Sequence, residues 1–211
     1  MLTVHALERQ SRLTSEVART VPDRAPAREA LLLAHRAVDE ARYEPVPRLH
    51  ALVATRHAQA ASLLGDKAAF RSAITRARRE LDRGPRASEP GWMWYMDETE
   101  ISAYEAQGYW NLGELARSAK LYRSVFNAGS APHSRAYFGA ELSRVLLDSG
   151  AHEDAIREGN AVLSVLEGGV TSVRNVTELR PVRVAADGSR KSGAEEFCAR
   201  FDAAEQALTA A

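Results

Sequence analysis

The sequence predicts an all-α protein, built as a solenoid of about four helix pairs plus a C-terminal closing helix. The first observation is a glycine-centred turn that occurs three times, at Gly65, Gly113 and Gly150. The second is the pattern before each turn, where the residue seven positions earlier is small and the residue four positions earlier is apolar. The third is an amphipathic stretch after each turn. Helix hairpins of this kind cannot bury their apolar faces alone, so we expect them to stack.

The patterned positions share one face of each helix, because residues three and four apart are neighbours on a helix. The small residues, which allow a second helix to approach closely, are Ala58, Ala106 and Ser143. The apolar residues that follow them are Ala61, Tyr109 and Leu146. The apolar positions after the turns are Phe70, Ile74 and Ala77, then Ala119, Tyr122 and Val125, then Ala155, Ile156 and Val162.

We expect the 211 residues to form a single helical repeat domain. The predicted helix pairs span residues 3–42, 49–82, 97–127 and 132–167, and the closing helix spans residues 194–209.

Local signals place several helices and their ends. In the first helix, we expect Val4, Leu7, Leu13 and Val17 to form a broad apolar face. Asp97, with Glu100 three residues later, is typical of a capped helix start. Between residues 170 and 193 the signals conflict, so we predict a short helix to about residue 181 and then an exposed loop.

Composition excludes several classes of protein. Lysine and arginine balance aspartate and glutamate, so the formal net charge is zero, far from the basic footprint of a nucleic-acid-binding protein. A loose basic stripe (Arg71, Arg78, Arg79, Arg83 and Arg86) is more simply a solvated helix face than a site for an acidic partner. Cys198 is the only cysteine, and no apolar run is long enough to span a membrane. We therefore expect a cytoplasmic protein that does not contact membranes.

The spacing around the turn glycines loosely resembles the tetratricopeptide (TPR) pattern, with longer loops. Two stretches resemble the C-terminal TPR-like domain of actinobacterial helix-turn-helix transcriptional regulators more narrowly. They are residues 89–98, Glu-Pro-Gly-Trp-Met-Trp-Tyr-Met-Asp-Glu, and residues 106–113, Ala-Gln-Gly-Tyr-Trp-Asn-Leu-Gly. The segments Ser172-Val-Arg174 and Glu178-Leu-Arg180, with Phe197 and Phe201 in the closing helix, are similar to the end of that domain.

This resemblance implies a non-enzymatic regulatory module that binds a peptide, a small molecule or a protein in a concave groove. Residues 1–48 leave no room for both a DNA-binding domain and the first helix pair. We therefore expect no direct DNA binding by this chain, whether it is a trimmed or a stand-alone member. An assembly scaffold is the alternative function, and a homodimer is compatible with either.

In TPR-like stacks, the first helix of each pair lines the groove. Counting back from the turn glycines predicts a mixed polar and aromatic surface, suited to an extended peptide. It comprises Gln59, Ser62, Glu100, Gln107, Trp110, Asn111, Tyr137, Arg144 and Asp148. A polar face that carries no ligand is the competing interpretation.

The densest aromatic cluster contains Trp92, Trp94 and Tyr95. These residues either wall a ligand pocket or, as the sequence favours, fill the core between helix pairs. An enzyme with a pocket between Trp92 and Glu98 is the less favoured alternative, because no nucleophile and base are recognisable.

The sequence predicts no metal site and no cofactor. Its histidines lack the spacing of a zinc-binding helix. His50 and His57 are two helical turns apart, too far to share one ion directly.

Overall fold

The computed structural model describes residues 1–86, 89–127, 132–169 and 172–209. These ranges contain ten α-helices, a short 3-10 segment and no strand. The helices are α1 (Leu2–Ala18), α2 (Ala25–Ala41), α3 (Pro47–Leu63), α4 (Lys67–Leu81), α5 (Glu98–Asn111), α6 (Leu115–Asn127), α7 (Pro132–Asp148), α8 (His152–Glu167), α9 (Val173–Ala186) and α10 (Ala194–Thr209). We call the 3-10 segment, Gly91–Tyr95, the aromatic segment. The predicted all-α class is confirmed.

The helices form two compact units, Met1–Glu114 and Leu115–Ala211. In the first unit, α3 packs against α1, α2, α4 and α5. In the second unit, α7 packs against α6, α8 and α9, and α10 packs against α8 and α9. That the chain behaves as a single domain stays a prediction.

The three glycine turns share one backbone geometry. Gly65, Gly113 and Gly150 have φ values of 80°, 75° and 79°, which favour glycine because it has no Cβ. In each turn, the N–H of the residue after glycine donates to the carbonyl five residues earlier, at 2.8–3.0 Å. This bond defines the Schellman motif, which satisfies a carbonyl that the end of the helix would otherwise leave unpaired.

The predicted small positions before the turns, Ala58, Ala106 and Ser143, are fully buried. In the second unit, the Ser143 hydroxyl donates to the Ala155 carbonyl at 2.7 Å, so a polar side chain here directly joins α7 to α8. Close contact between paired helices therefore follows from small side chains, as the pattern predicts.

The predicted apolar face of α1 is wrong. Only Val4 of its four residues is fully buried, whereas Leu13 and Val17 are exposed. The buried positions of α1 also include Glu8 and two serines, and those of α2 are alanines. Small side chains at this contact let the two helices approach closely, so the larger apolar residues of α1 remain outside.

The predicted loop after residue 181 is also wrong, because α9 continues through Pro181 to Ala186. Proline lacks the N–H of a helical hydrogen bond, but Pro181 lies on the exposed side of the helix. The opposite side buries Leu179, Val182 and Ala186 at helical spacing. Packing of this apolar face outweighs the local cost of the proline.

Candidate functional site

One polar face of the first unit is built from the first helices of three successive pairs. On this face α3 lies in contact with both α1 and α5. We call it the inner face, and define it by His5, Glu8 and Arg12 of α1, Arg56, Gln59 and Ser62 of α3, Glu100, Tyr104, Gln107 and Asn111 of α5, and Tyr95 of the aromatic segment.

The centre of the inner face is a buried ion pair. Arg56 Nε donates to Glu8 Oε2 at 2.9 Å, and both side chains are almost completely buried. The guanidinium of Arg56 also lies over the Tyr104 ring, 4.7 Å from its centroid. Burial lowers the pKa of Arg56, but Tyr104 and Glu8 raise it by more, so Arg56 remains charged.

Glu100 is within electrostatic reach of Arg56 and Arg12, and it forms no ion pair of its own among the described residues. Burial raises its pKa, and the Asp97 charge raises it further. Arg56, Arg12 and a hydrogen bond from Tyr104 oppose that shift. Burial also raises the pKa of Tyr95 to about 12, with Arg56, Glu8, Tyr104 and Glu100 in electrostatic reach of its hydroxyl.

Two amide contacts extend the face along α3 and α5. Gln59 Nε2 donates to Gln107 Oε1, and Asn111 Nδ2 donates to Ser62 Oγ at 2.9 Å. Gln59, Ser62 and Gln107 are buried, and Asn111 is half-buried. The amides of Gln59 and Gln107 therefore bind to each other, and the Asn111 amide binds a hydroxyl. Gln59 Oε1 is buried and accepts no hydrogen bond from the described residues.

Aromatic side chains lie at several points around this face. Trp110 stacks with the guanidinium of Arg19, 4.5 Å from the ring centroid. Trp92 packs against His5 at a tilt of 46°, with ring centroids 4.6 Å apart. His5 Nδ1 in turn lies 3.1 Å from Glu8 Oε1.

The favoured interpretation of the tryptophan cluster as core is wrong. Trp92 is 38% exposed and Trp94 is 69% exposed. Met93 and Met96 are buried instead. Residues three apart eclipse one another in a 3-10 turn, so Met93 and Met96 lie on one inward side, and Trp92 and Trp94, which flank Met93, point away from it. Both tryptophans therefore remain candidates for ligand contact.

Three predicted groove residues lie on α7 of the second unit. The Tyr137 hydroxyl donates to Glu141 at 2.8 Å and accepts from Arg174 at 2.8 Å. Arg144 donates to Glu178 of α9 at 2.8 Å. Asp148 is exposed at the end of the helix. Their convergence with the α3 and α5 residues on one surface stays a prediction.

The sequence pointed to the amide contacts but missed the charged centre. It named Gln59, Glu100 and Gln107, whereas Arg56 and Tyr104 lie one helical turn earlier on the same faces of α3 and α5. That spacing was the available signal. No sequence signal marks Glu8 as buried, because a helix carboxylate is ordinarily exposed.

Asp97 accepts a hydrogen bond from the Glu100 N–H at 2.9 Å, as the predicted cap requires. His57 Nε2 lies 3.2 Å from His35 Nε2, and His50 Nε2 lies 2.8 Å from the Glu44 carbonyl oxygen. Among the residues that the structure describes, no three potential ligands gather around a metal position. No helix in those residues is long and apolar enough to cross a membrane.

No protein-family model matches the chain, and no curated protein matches it. It is similar in structure to a putative kinesin light chain from Podosopora anserina with nearly identical TPR-like repeats, with a TM-score of 0.56 and 15% sequence identity over 96% of this chain and 97% of that one. A variant of that protein gives a TM-score of 0.57 at 15% identity, over 97% and 98% of the two chains. The chain therefore has a TPR-like fold, and the link to helix-turn-helix regulators stays a prediction.

Proposed function

We propose that this chain is a non-enzymatic protein-binding module whose inner face holds an extended segment of a partner polypeptide. The observation that carries the proposal is that the first helices of three successive pairs place hydrogen-bonding side chains on one face, with the half-buried Asn111 amide and the half-buried Trp110 ring beside each other along α5. A peptide unit offers both an acceptor and a donor, so an extended segment can bond to amide side chains along such a face.

A regulatory role, connected with transcription, is the finer part of this proposal, and its support is the sequence resemblance of residues 89–98 and 106–113. We assign no catalysis to the inner face, because Glu8, its most buried acid, is held by Arg56. In the alternative scaffold function, the same face binds a folded partner chain. The peptide is favoured because amide side chains can pair with the donors and acceptors of an extended main chain.

The test is selection of binders from a display library of short unstructured peptides, followed by calorimetry on the selected peptides. Trp110→Ala should weaken binding by about 1–3 kcal/mol, as expected when an aromatic contact of an interface is removed. Tyr43→Ala is the matched control, because Tyr43 is an exposed aromatic residue just after α2. Circular dichroism must show that both variants are folded. Equal affinity of wild type and Trp110→Ala, with loss in Trp94→Ala, would move the ligand to the aromatic segment.

A further inference from the structure

We propose that His35 and His57 together bind a divalent transition-metal ion of the zinc type through the Nε2 atoms of both imidazole rings. His35 lies on α2 and His57 lies on α3, so a bound ion joins the first helix pair to the second. Neither residue belongs to the inner face, and the site is independent of the proposed peptide binding.

The distance between the two nitrogens fits a shared metal ion. His35 Nε2 lies 3.2 Å from His57 Nε2, and the rings meet edge to face with their centroids 4.6 Å apart. Zinc binds imidazole nitrogen at about 2.0–2.1 Å in tetrahedral geometry, so two nitrogens on one ion are about 3.3–3.4 Å apart. The observed separation is therefore already close to the one that a shared ion requires.

A hydrogen bond accounts for the same contact when no metal is bound. One neutral ring can donate from its Nε2 to the Nε2 of the other ring. For both nitrogens to bind an ion, the donor ring must move its proton from Nε2 to Nδ1, which frees both Nε2 lone pairs. This exchange of tautomers keeps both rings neutral and releases no proton.

The surroundings of His57 favour the neutral imidazole that binds metals. Burial lowers the pKa of His57, and the charges of His35 and Arg76 lower it further, against the opposing charge of Asp66. At neutral pH, an ion therefore meets little competition from protons at His57. The Asp66 side chain accepts a hydrogen bond from the Ala69 N–H at 2.9 Å as a helix cap, so the protein ligands are the two imidazoles.

Packing holds the two histidines in place and leaves the pair open to solvent on one side. Ala34 and Ala58, the residues next to the histidines, are fully buried, so both helices are fixed at this point. His35 is exposed and His57 is half-buried. An ion can therefore reach the pair from the side of His35, and water fills its remaining coordination positions. Imidazole nitrogen is a ligand that suits zinc, copper and nickel.

The choice of two like side chains at this contact also points to an added ligand. Between α4 and α5, by contrast, Arg78 binds Glu98 at 2.8 Å and Glu105 at 2.9 Å, so opposite charges join those helices. Two histidines repel each other when both are protonated. A metal ion is a partner that both neutral rings can bind at once.

Calorimetry with zinc chloride on the full chain tests the site. The wild type should bind zinc, and His35→Gln and His57→Gln should each bind it at least about tenfold more weakly, because even loss of an outer-shell partner costs about 10–100-fold. His152→Gln is the matched control, because His152 is an exposed histidine at the start of α8, and it should bind zinc as the wild type does. Circular dichroism must show that the variants are folded.

Nitrogen NMR of the imidazole rings separates coordination from a structural effect. Zinc should shift Nε2 of His35 and of His57 together and convert both rings to the Nδ1–H tautomer, with His152 unchanged. This measurement uses the wild type alone, so it decides the question even if a variant does not fold. If zinc shifted other histidines instead, or bound the wild type no more tightly than the double variant His35→Gln/His57→Gln, the pair would be a hydrogen bond only and the metal site would be wrong.

Discussion

Arg56 shows how one residue connects two successive helix pairs of the first unit. Its partner Glu8 lies 48 residues earlier in the chain, and both side chains are removed from water. Buried ion pairs contribute little net stability, because desolvation of both charges offsets their attraction. Loss of one partner is costly, because it leaves the other charge buried and uncompensated. The pair therefore specifies the arrangement of α1 against α3 more than it stabilises it.

We predict that Arg56→Met lowers the free energy of unfolding by about 3–5 kcal/mol. The double variant Glu8→Leu/Arg56→Met should lose much less than the sum of its two single variants, because it leaves no unpaired charge. Urea unfolding of the four proteins measures this coupling. Strictly additive losses would contradict the interpretation of Glu8 and Arg56 as a mutually dependent pair.

Glu100 gives a prediction for pH. Its pKa is raised in the folded protein by burial and by Asp97, against the opposing effects of Arg56, Arg12 and the Tyr104 hydrogen bond. The folded state therefore binds its proton more tightly than the unfolded state. Protonation of Glu100 therefore stabilises the folded state at pH values below the pKa that Glu100 has in the unfolded chain. This stabilisation is lost as the pH rises through the pKa of Glu100 in the folded protein.

Glu100→Gln should accordingly raise the melting temperature of the ligand-free protein at neutral pH and change it much less at acidic pH. A rise of roughly 2–4 °C would correspond to about 1 kcal/mol for a domain of this size. Thermal unfolding across a pH series provides the measurement, with Glu98→Gln as the control. If Glu100→Gln melted lower at neutral pH, the ionised Glu100 would be a stabilising residue, and the prediction from its raised pKa would be wrong.

At the scale of elements, the glycine turns are the clearest link between sequence and structure. Gly113 has φ +75° and ample space around a built Cβ, so only backbone strain opposes a side chain there. We predict that Gly113→Ala costs about 1–2 kcal/mol. Gly91→Ala is the control, because a Cβ there also meets open space and the backbone has no positive φ. Chemical unfolding compares the two, and an equal effect would show that the turn does not depend on its left-handed residue.

Local signals predicted most helices of the fold and the buried faces beside the glycine turns, but not the buried face of α1. Glycine turns and the Asp97 cap act within a few residues, so they can be recognised in the sequence. The burial of α1 depends on α2 and α3, and its serines and Glu8 are inside because of those partners. In the same way, α9 passes Pro181 because its apolar face has somewhere to pack.

The candidate site, like the fold, was predictable from the sequence only where its residues follow the repeat pattern. Gln59 and Gln107 were recognised because they occupy matching positions before successive turns, and the structure joins them by a hydrogen bond. The charged centre was not recognised, because the burial of Arg56 requires a carboxylate from another helix pair. Contacts between distant parts of the chain are the information that periodicity within one helix does not contain.

At the scale of the whole molecule, the TPR-like fold is shared with a protein that is only 15% identical over nearly the whole chain. Such a likeness is expected when a fold depends on the spacing of small residues, apolar residues and turns rather than on particular side chains. The fold does not require the particular side chains of the inner face. Their chemistry, a buried Glu8–Arg56 pair and the amides of Gln59 and Gln107, therefore comes from this chain's own sequence and not from the fold.

The balanced charge of the whole chain supports a last prediction, that it does not bind DNA sequence-specifically by itself. Lysine and arginine equal aspartate and glutamate in number, and two members of the basic stripe are already paired, Arg78 with Glu98 and Arg83 with Glu80. Affinity for DNA depends largely on neutralising phosphates with free cations. Fluorescence anisotropy with labelled duplexes should therefore give at most weak binding, with dissociation constants of roughly 10⁻⁶ M or higher at physiological salt, and no preference among sequences. Sub-micromolar, sequence-dependent binding would contradict the assignment of this chain as a protein-binding module.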